Sequence, residues 1–368
     1  MTRPLVILLP SLAHGGAQKV FLEIASYLSD KHIEVVLVVL DKDGALVNRL
    51  PENLNVMFLD GGLSDKPFIK RFIQWFRLRR LIAQLGAVDL YSTITGMNVF
   101  TLSCFFFSKK INITIREATT LENNNRLYLQ ALIWLFYRRS NKVICTSNFI
   151  QTQLIQRMGL NPERVIKLPN PIDIERIKKY ATEQQDERCI FSGQFRIVAV
   201  GRLIKAKGFD VLIQALSIAR KTEDIKLVIV GDGPERANLE KSINQLGLVD
   251  DVMLVGYQPN PYPYIYNSDL FVLSSRWEGY VNTVIEAMAL NVDVVMTDCK
   301  SGPGELLQDK LNYKLVPVES AEKLAEAILD ALLNPKDTSK FNELLEEHTM
   351  SHAIRRYFGE DIAKKFPD

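Results

Sequence analysis

Residues 4–44 read PLVILLPSLAHGGAQKVFLEIASYLSDKHIEVVLVVLDKDG. Leu5–Leu9 is wholly aliphatic, the composition of a parallel strand covered on both faces. SLAHGGAQ turns the chain, KVFLEIASYLSDK has its apolar residues at helical spacing, and EVVLVVL is a second aliphatic run that stops at DKDG. Strand, glycine turn, helix and strand open a βαβ unit, and with it a doubly wound α/β domain. The first run is too short to span a bilayer and lacks the flanks of a signal peptide, so it reads as a buried first strand.

The same grammar continues outward. NVMFLD, DLYSTI, NITIRE and KVICTS are further candidate strands, which predicts a parallel sheet of about six strands. KLPNPIDIERI then interrupts the pattern with two prolines around Asn170, and polar residues accumulate in KKYATEQQDERC. FRIVAVGRL restarts it: RIVAVG, a helix over FDVLIQALSIARK, KLVIVGDGPE, DVMLVGY, DLFVLSS, a helix over TVIEAMAL and DVVMTD. Helices AEKLAEAILDALL and SHAIRRYFGEDIAKKF close the chain. The expectation is α/β, two doubly wound parallel-sheet domains joined at residues 172–190, with ligands at the carboxyl ends of the strands in the crevice between them.

A chain of 368 residues with 47% hydrophobic and 24% charged residues suits two globular domains and excludes a disordered or fibrous protein. Cys104, Cys145, Cys189 and Cys299 form no CxxC pair, and His14, His32, His348 and His352 are scattered, so no zinc framework is offered. This cysteine usage fits a reducing, cytoplasmic setting. The net charge of +2 is unevenly placed: residues 1–175 hold 21 Lys and Arg against 14 Asp and Glu, and residues 176–368 hold 24 against 29. The first part is therefore the one suited to an anionic surface, and nothing points to nucleic acid.

Several constellations carry chemistry. After the first strand, His14, Gly15 and Gly16 form either a plain tight turn or a loop whose backbone approaches a ligand. In VAVGRLIKAKGF, Arg202, Lys205 and Lys207 follow a strand and a glycine; a rigid guanidinium fork beside compact ammonium charges suits a pyrophosphate. This is no Walker A loop, and VIVGDGPE is no dinucleotide fingerprint, because Pro234 breaks the GxGxxG spacing and Asp232 caps a turn instead. SSRWEGYVNTVIEAMAL places Glu278 in a loop and Glu286 eight residues on, inside the helix that the loop opens. The loop Gly279, Tyr280, Val281, Asn282 and Thr283 offers backbone N–H groups to a diphosphate without metal. Glu286 stands among Val284, Ile285, Ala287 and Met288, an awkward setting for a purely solvent-facing acid.

These residues resemble a known family. Glu278-(seven residues)-Glu286 is similar to the E-x7-E signature of the family-4 retaining glycosyltransferases, and GRLIKAKGFDVLIQA, LVIVGDGPE, TDCKSGPGELL and the N-terminal GGAQ resemble its other blocks, in order along nearly the whole chain. The resemblance implies a GT-B fold, two domains facing across a cleft: residues 1–172 for the acceptor, 190–350 for a nucleotide-sugar donor, and 351–368 as a terminal helix returning to the first domain. It implies retention of the donor's anomeric configuration with no metal or other cofactor. It implies that Arg202 and Lys207 hold the diphosphate, Glu286 the ribose and Glu278 the sugar, with Gly15 and Gly16 near the donor phosphates or the acceptor. The donor expected is a UDP-sugar, hexose or N-acetylhexosamine, and the acceptor a polyprenyl-diphosphate-linked saccharide for surface polysaccharide or lipopolysaccharide.

Two places depart from the family pattern. Asn291 and Asp293 stand where many members have Gly and Pro, and Arg116-Glu117 stands where many carry a His. Arg116 is a candidate for steadying the donor sugar or leaving phosphate, or else half of a structural Arg-Glu pair. A nucleotide-sugar epimerase could share the fold but needs acid-base side chains that do not present themselves. Asp41 and Asp43, in the DKDG turn, are not read as metal ligands. Lastly, KPFIKRFIQWFRLRRLIAQLG, residues 66–86, carries six basic residues and no acid among helically spaced aromatic and aliphatic ones. It is read as contacting an anionic membrane on the inner face of the cell membrane, the alternative being a helix packed on the sheet with a basic solvated face.

Overall fold

The computed structural model describes residues 4–13, 15–44, 46–47, 50–60, 66–86, 88–108, 110–118, 127–183, 195–299, 302–307, 315–359 and 362. The chain runs β1 (Leu5–Ser11), α1 (Gly16–Asp30), β2 (Val35–Asp41), β3 (Asn55–Phe58), α2 (Pro67–Leu85), β4 (Asp89–Thr93), α3 (Thr95–Cys104), β5 (Asn112–Glu117), α4 (Leu127–Phe136), β6 (Lys142–Cys145), α5 (Asn148–Thr152) and β7 (Val165–Lys167). It continues through α6 (Ile174–Ala181), β8 (Phe195–Val200), α7 (Phe209–Ala219), β9 (Ile225–Val230), α8 (Arg236–Gln245), β10 (Val252–Gly256), α9 (Tyr262–Tyr266), β11 (Leu270–Leu273), α10 (Asn282–Ala289), β12 (Asp293–Met296), α11 (Pro303–Leu307), α12 (Ala321–Leu333), α13 (Phe341–Glu346) and α14 (Met350–Phe358).

Two compact units result. Unit 1 comprises residues 1–171 and 350–368, and unit 2 residues 172–349. The unit 1 sheet has the order β3-β2-β1-β4-β5-β6-β7, all parallel. It holds seven strands where the aliphatic runs suggested six. The added strand, β7, is only three residues long, too short for an alternation to show. β1 and β2 are buried almost end to end, as a strand under helices on both faces must be. One face carries α1 and α14, the other α2, α3 and α4. In α14, Met350, Ala353, Ile354 and Tyr357 recur at helical spacing and enter the core formed by α1, β1 and β2.

Unit 2 has a five-stranded parallel sheet in the order β10-β9-β8-β11-β12. α7, α8 and α12 cover one face, and α6, α9, α10 and α13 the other. In both sheets the order reverses beside the first strand, between β1 and β4 and between β8 and β11. The loops leaving those strands therefore diverge to opposite faces and open a crevice at the carboxyl edge of each sheet. Asn291 adopts φ +58° after α10, the left-handed conformation glycine takes most cheaply and asparagine next, which accounts for that departure from the family pattern. Asp293 accepts hydrogen bonds from Val294 N (2.7 Å) and Lys336 N (3.3 Å) and is buried at the strand entry.

Candidate active site

Lys207 and Glu278 come from the loops after β8 and β11, on either side of the switch point of unit 2. Lys207 Nζ donates to Glu278 Oε1 over 2.6 Å, and Ser275 Oγ donates to the same oxygen over 2.5 Å. Two backbone devices make this approach possible. Gly208, at φ +61°, lies so close to the β11 loop that a Cβ there would stand 2.1 Å from Ser274 O. Ser274 Oγ in turn donates to Lys207 O over 2.8 Å. The short 3-10 turn at residues 205–207 is therefore pressed directly against the strand end that leads to Glu278.

Arg276 fastens the two loops together. Its guanidinium donates to both carboxylate oxygens of Asp210 (2.8 Å each), to Lys205 O (2.7 Å) and to Glu319, and its main-chain N donates to Ala206 O (2.8 Å). The hydrogen bonds from Arg276 hold the Asp210 carboxyl below its ordinary range, against the opposing effect of partial burial. A bidentate arginine pair of this kind orients as well as attracts. Sequence reading passed over Arg276 because its partners lie 66 and 43 residues away and share no local pattern with it.

Glu286 is 4% exposed in α10, and Tyr262 Oη donates to its Oε1 at 3.5 Å, the outer edge of hydrogen-bonding distance. Helix geometry points the first-turn N–H groups of Asn282 and Thr283 out of the N-terminus of α10. Gly279 and Tyr280 are half-buried and Val281 is buried. Arg202 is exposed and makes no side-chain hydrogen bond or ion pair among the described residues; it follows Gly201 at the end of β8. Asp232 does hold its turn, accepting from Gly233 N over 2.7 Å, and Gly231, at φ +145°, brings that turn against Gly201 O. Burial, and then the Glu278 charge, push the Cys299 thiol up to about 12, with Lys207 opposing. A groove of about 440 Å³ lined by Ile204, Lys205, Asp210, Asn238, Arg276 and Trp277 lies on the α7–α8 side of these loops, and Lys207, Glu278 and Glu286 do not line it.

In unit 1, Gly15 is the extended N-cap of α1 and Gly16 its exposed first residue; His14 lies outside the described residues. Arg116 is not at a surface. It is 1% exposed, donates to Thr93 Oγ1 (3.1 Å) and Asn170 Oδ1, and faces the Phe21 ring. In this structure the guanidinium is engaged with interior partners at the end of β5. Among the described residues it does not pair with Glu117, because strand alternation sends the neighbours to opposite faces of β5. Glu117 accepts from Thr95 Oγ1 (3.1 Å) and Tyr137 Oη (2.6 Å) on the other side. Between Thr93 and Thr95 stands Ile94 at φ +76°, a strained conformation for a β-branched residue. Arg116 and Glu117 thus hold both flanks of this turn. Asp41 is likewise structural: it pairs with Lys70 and Arg71 (2.8 Å each) and accepts from Gln74 (3.1 Å). Among the described residues no three His, Cys, Asp or Glu side chains are grouped so as to hold a metal ion.

Comparison with known proteins identifies the family. A family model described as Glycosyltransferase Family 4 matches residues 14–176, and one described as Glycosyl transferases group 1 matches residues 181–347. The chain is 31% identical, over 340 residues and 90% of both chains, to the N-acetylgalactosamine-N,N'-diacetylbacillosaminyl-diphospho-undecaprenol 4-alpha-N-acetylgalactosaminyltransferase of Campylobacter jejuni. Among solved structures, a glycosyltransferase from Rickettsia africae superposes with a TM-score of 0.79 at 16% identity, covering 98% of each chain. Anabaena Alr3699/HepE in complex with UDP and glucose gives a TM-score of 0.75 at 19% identity, covering 99% of this chain and 98% of the other. Those likenesses show the fold, which is GT-B. The chain belongs to the family-4 glycosyltransferases.

Proposed function

We propose that this enzyme is a retaining transferase that moves a sugar from a UDP-sugar to a hydroxyl of a polyprenyl-diphosphate-linked saccharide. The observation that carries the reading is the Lys207–Glu278 pair beside the N-terminus of α10, with Glu286 buried in the same helix. Unit 2 then takes the donor. Lys207 and the exposed Arg202 meet the diphosphate together with the N–H groups at the start of α10, Glu286 accepts the ribose hydroxyls, and Glu278 the sugar hydroxyls. Unit 1 takes the acceptor, with Gly15 and Gly16 near the donor phosphates or the acceptor. The acceptor oxygen bonds to the anomeric carbon on the face from which the diphosphate departs, the bond from that carbon to the diphosphate oxygen breaks, and that oxygen takes the acceptor's proton. Orientation and charge stabilisation are what the protein contributes, without a metal. The acceptor class is supported by the name of the Campylobacter relative, and the donor base by the UDP bound to Anabaena HepE.

The reading includes contact with the inner face of the cell membrane through α2. Only Gln74, Leu78 and Ile82 of this helix are buried, while Phe68, Phe72 and Phe76 form an exposed stripe four residues apart, followed by the exposed Arg80. Its other cations are largely occupied: Lys70 and Arg71 pair with Asp41, Arg77 donates to Leu59 O (3.2 Å) and Arg79 to Cys104 O. The aromatic stripe therefore supplies the docking more than the basic residues do. No helix among the described residues is long and apolar enough to cross a membrane.

Incubation with a panel of nucleoside-diphosphate sugars and polyprenyl-diphosphate-linked saccharides, followed by mass and anomeric analysis of the product, tests the proposal. An α-linked product from an α-linked donor, formed equally in chelator, is the expected outcome. Inversion, a strict divalent-metal requirement or absence of transfer with every pair would refute it.

A further inference from the structure

We propose that His348 is a positioning residue for the loop carrying Glu278, acting through the hydroxyl of Tyr280; the inference rests on the reading of that loop as the donor loop. Tyr280 Oη and His348 Nε2 are 2.6 Å apart, and His348 Nδ1 lies 2.9 Å from Leu344 O. A carbonyl oxygen only accepts, so the proton of the neutral ring belongs on Nδ1. Nε2 is then the acceptor, and the tyrosine hydroxyl donates to it. The ring is buried, which keeps water from competing for the bond.

The placement of the pair along the chain gives it a role. Tyr280 stands two residues after Glu278 and two before Asn282, the first residue of α10. Upstream, the loop is pinned by Arg276 to Asp210, Lys205 O and Ala206 O. Downstream, the Tyr280–His348 bond is the corresponding fastening. His348 is itself firmly held, because its carbonyl accepts from Ile172 N over 2.8 Å, and Thr349 pairs in parallel with Ile172. These are the two places where the chain enters and leaves unit 2. The loop bearing Glu278 is thus tied at one end to the β8 side of the site and at the other to the point where unit 2 closes upon its own ends. With both ends fixed, Glu278 and the N–H groups of Asn282 and Thr283 keep their spacing for a sugar and its diphosphate.

Amide hydrogen exchange of the full-length enzyme, with Tyr280→Phe, His348→Leu, the double variant and His348→Gln, tests this. Loss of one buried hydrogen bond should speed exchange across residues 277–285 about tenfold in Tyr280→Phe and in His348→Leu. His348→Leu also loses the Nδ1–Leu344 O bond, but within the loop the double variant should exchange no faster than His348→Leu, since both single changes remove the one Tyr280–His348 bond. His348→Gln, whose side-chain amide reaches the Nε2 position, should exchange like the wild type. In the transfer assay kcat should fall in the first three variants and recover in the fourth. Wild-type loop exchange in Tyr280→Phe, or faster exchange throughout unit 2 in both single variants, would overturn the proposal. Faster loop exchange with unchanged transfer would uphold His348 as the anchor of the loop and count instead against the assignment of Glu278.

Discussion

Lys207 Nζ and Glu278 Oε1 lie 2.6 Å apart in a half-buried setting, with 19% and 9% of their side chains exposed. An ammonium suited to a diphosphate and a carboxylate suited to a sugar are therefore held as one neutral unit, each keeping the other's charge compensated.

Removing the ammonium of this pair should be felt chiefly in turnover, and removing the buried Glu286 carboxylate chiefly in donor binding. Lys207→Ala is expected to lower kcat about 100-fold or more, the scale for losing a charged group aimed at transition-state charge. Glu286→Gln should mainly raise the donor KM, because it acts on bound ribose. Steady-state kinetics with circular dichroism to verify folding checks both. Wild-type kcat and KM in the two variants would dismiss the site assignment.

Arg276 is predicted to matter without touching substrate. Arg276→Ala should cut kcat/KM about tenfold and lower the melting temperature, since the turn bearing Lys207 loses its fastening. Arg276→Lys should not restore activity, because one ammonium cannot bridge Asp210, Glu319 and Lys205 O in the fork geometry. Full recovery with lysine would show that only the charge matters.

Membrane docking is open to a direct measurement. Replacing Phe68, Phe72 and Phe76 together by Ser should abolish co-sedimentation with anionic vesicles and slow transfer to a long-chain lipid acceptor, while transfer to a short water-soluble acceptor survives. These side chains are exposed, 85% for Phe68, so the fold should tolerate the change. Unaltered co-sedimentation would leave the stripe without this role.

The tether of α2 should weaken in acid. Burial raises the Asp41 carboxyl, but hydrogen bonds from Lys70 and Gln74 and the Arg71 and Lys70 charges outweigh it, so the folded group titrates below its ordinary range. A depressed carboxylate contributes stability that is complete above the unfolded value, about 3.9, and is lost as pH falls through the lower folded value. Asp41→Asn should therefore cost about 1 kcal/mol at pH 7 and progressively less below pH 4. Thermal melts of both proteins between pH 7 and pH 3 would show the gap closing, and a constant gap would contradict the assignment.

Much of this molecule was legible in the residues because parallel strands buried on both faces are written as unbroken aliphatic runs, as in Leu5–Leu9 and Val35–Leu40. Glu286 was legible as well, since an acid between Ile285 and Ala287 has no comfortable solvent-facing reading. The contacts that assemble the site were not. Lys207 and Glu278 are 71 residues apart, and only the strand order brings their loops together. The burial of Arg116 was not legible either, because the partners that accompany it inside, Thr93 and Asn170, lie 23 and 54 residues away.

The last described helix, α14, completes the core of the first unit, with Met350, Ala353, Ile354 and Tyr357 packed among residues of α1, β1 and β2. Synthesis proceeds from the N-terminus, and domains fold as their residues emerge. The unit made first on the ribosome is consequently the one finished last: its apolar seat for α14 stays uncovered while all 178 residues of unit 2 are translated. A nascent chain stalled before Met350 would hold a completed second unit and a first one whose core still lacks its last helix.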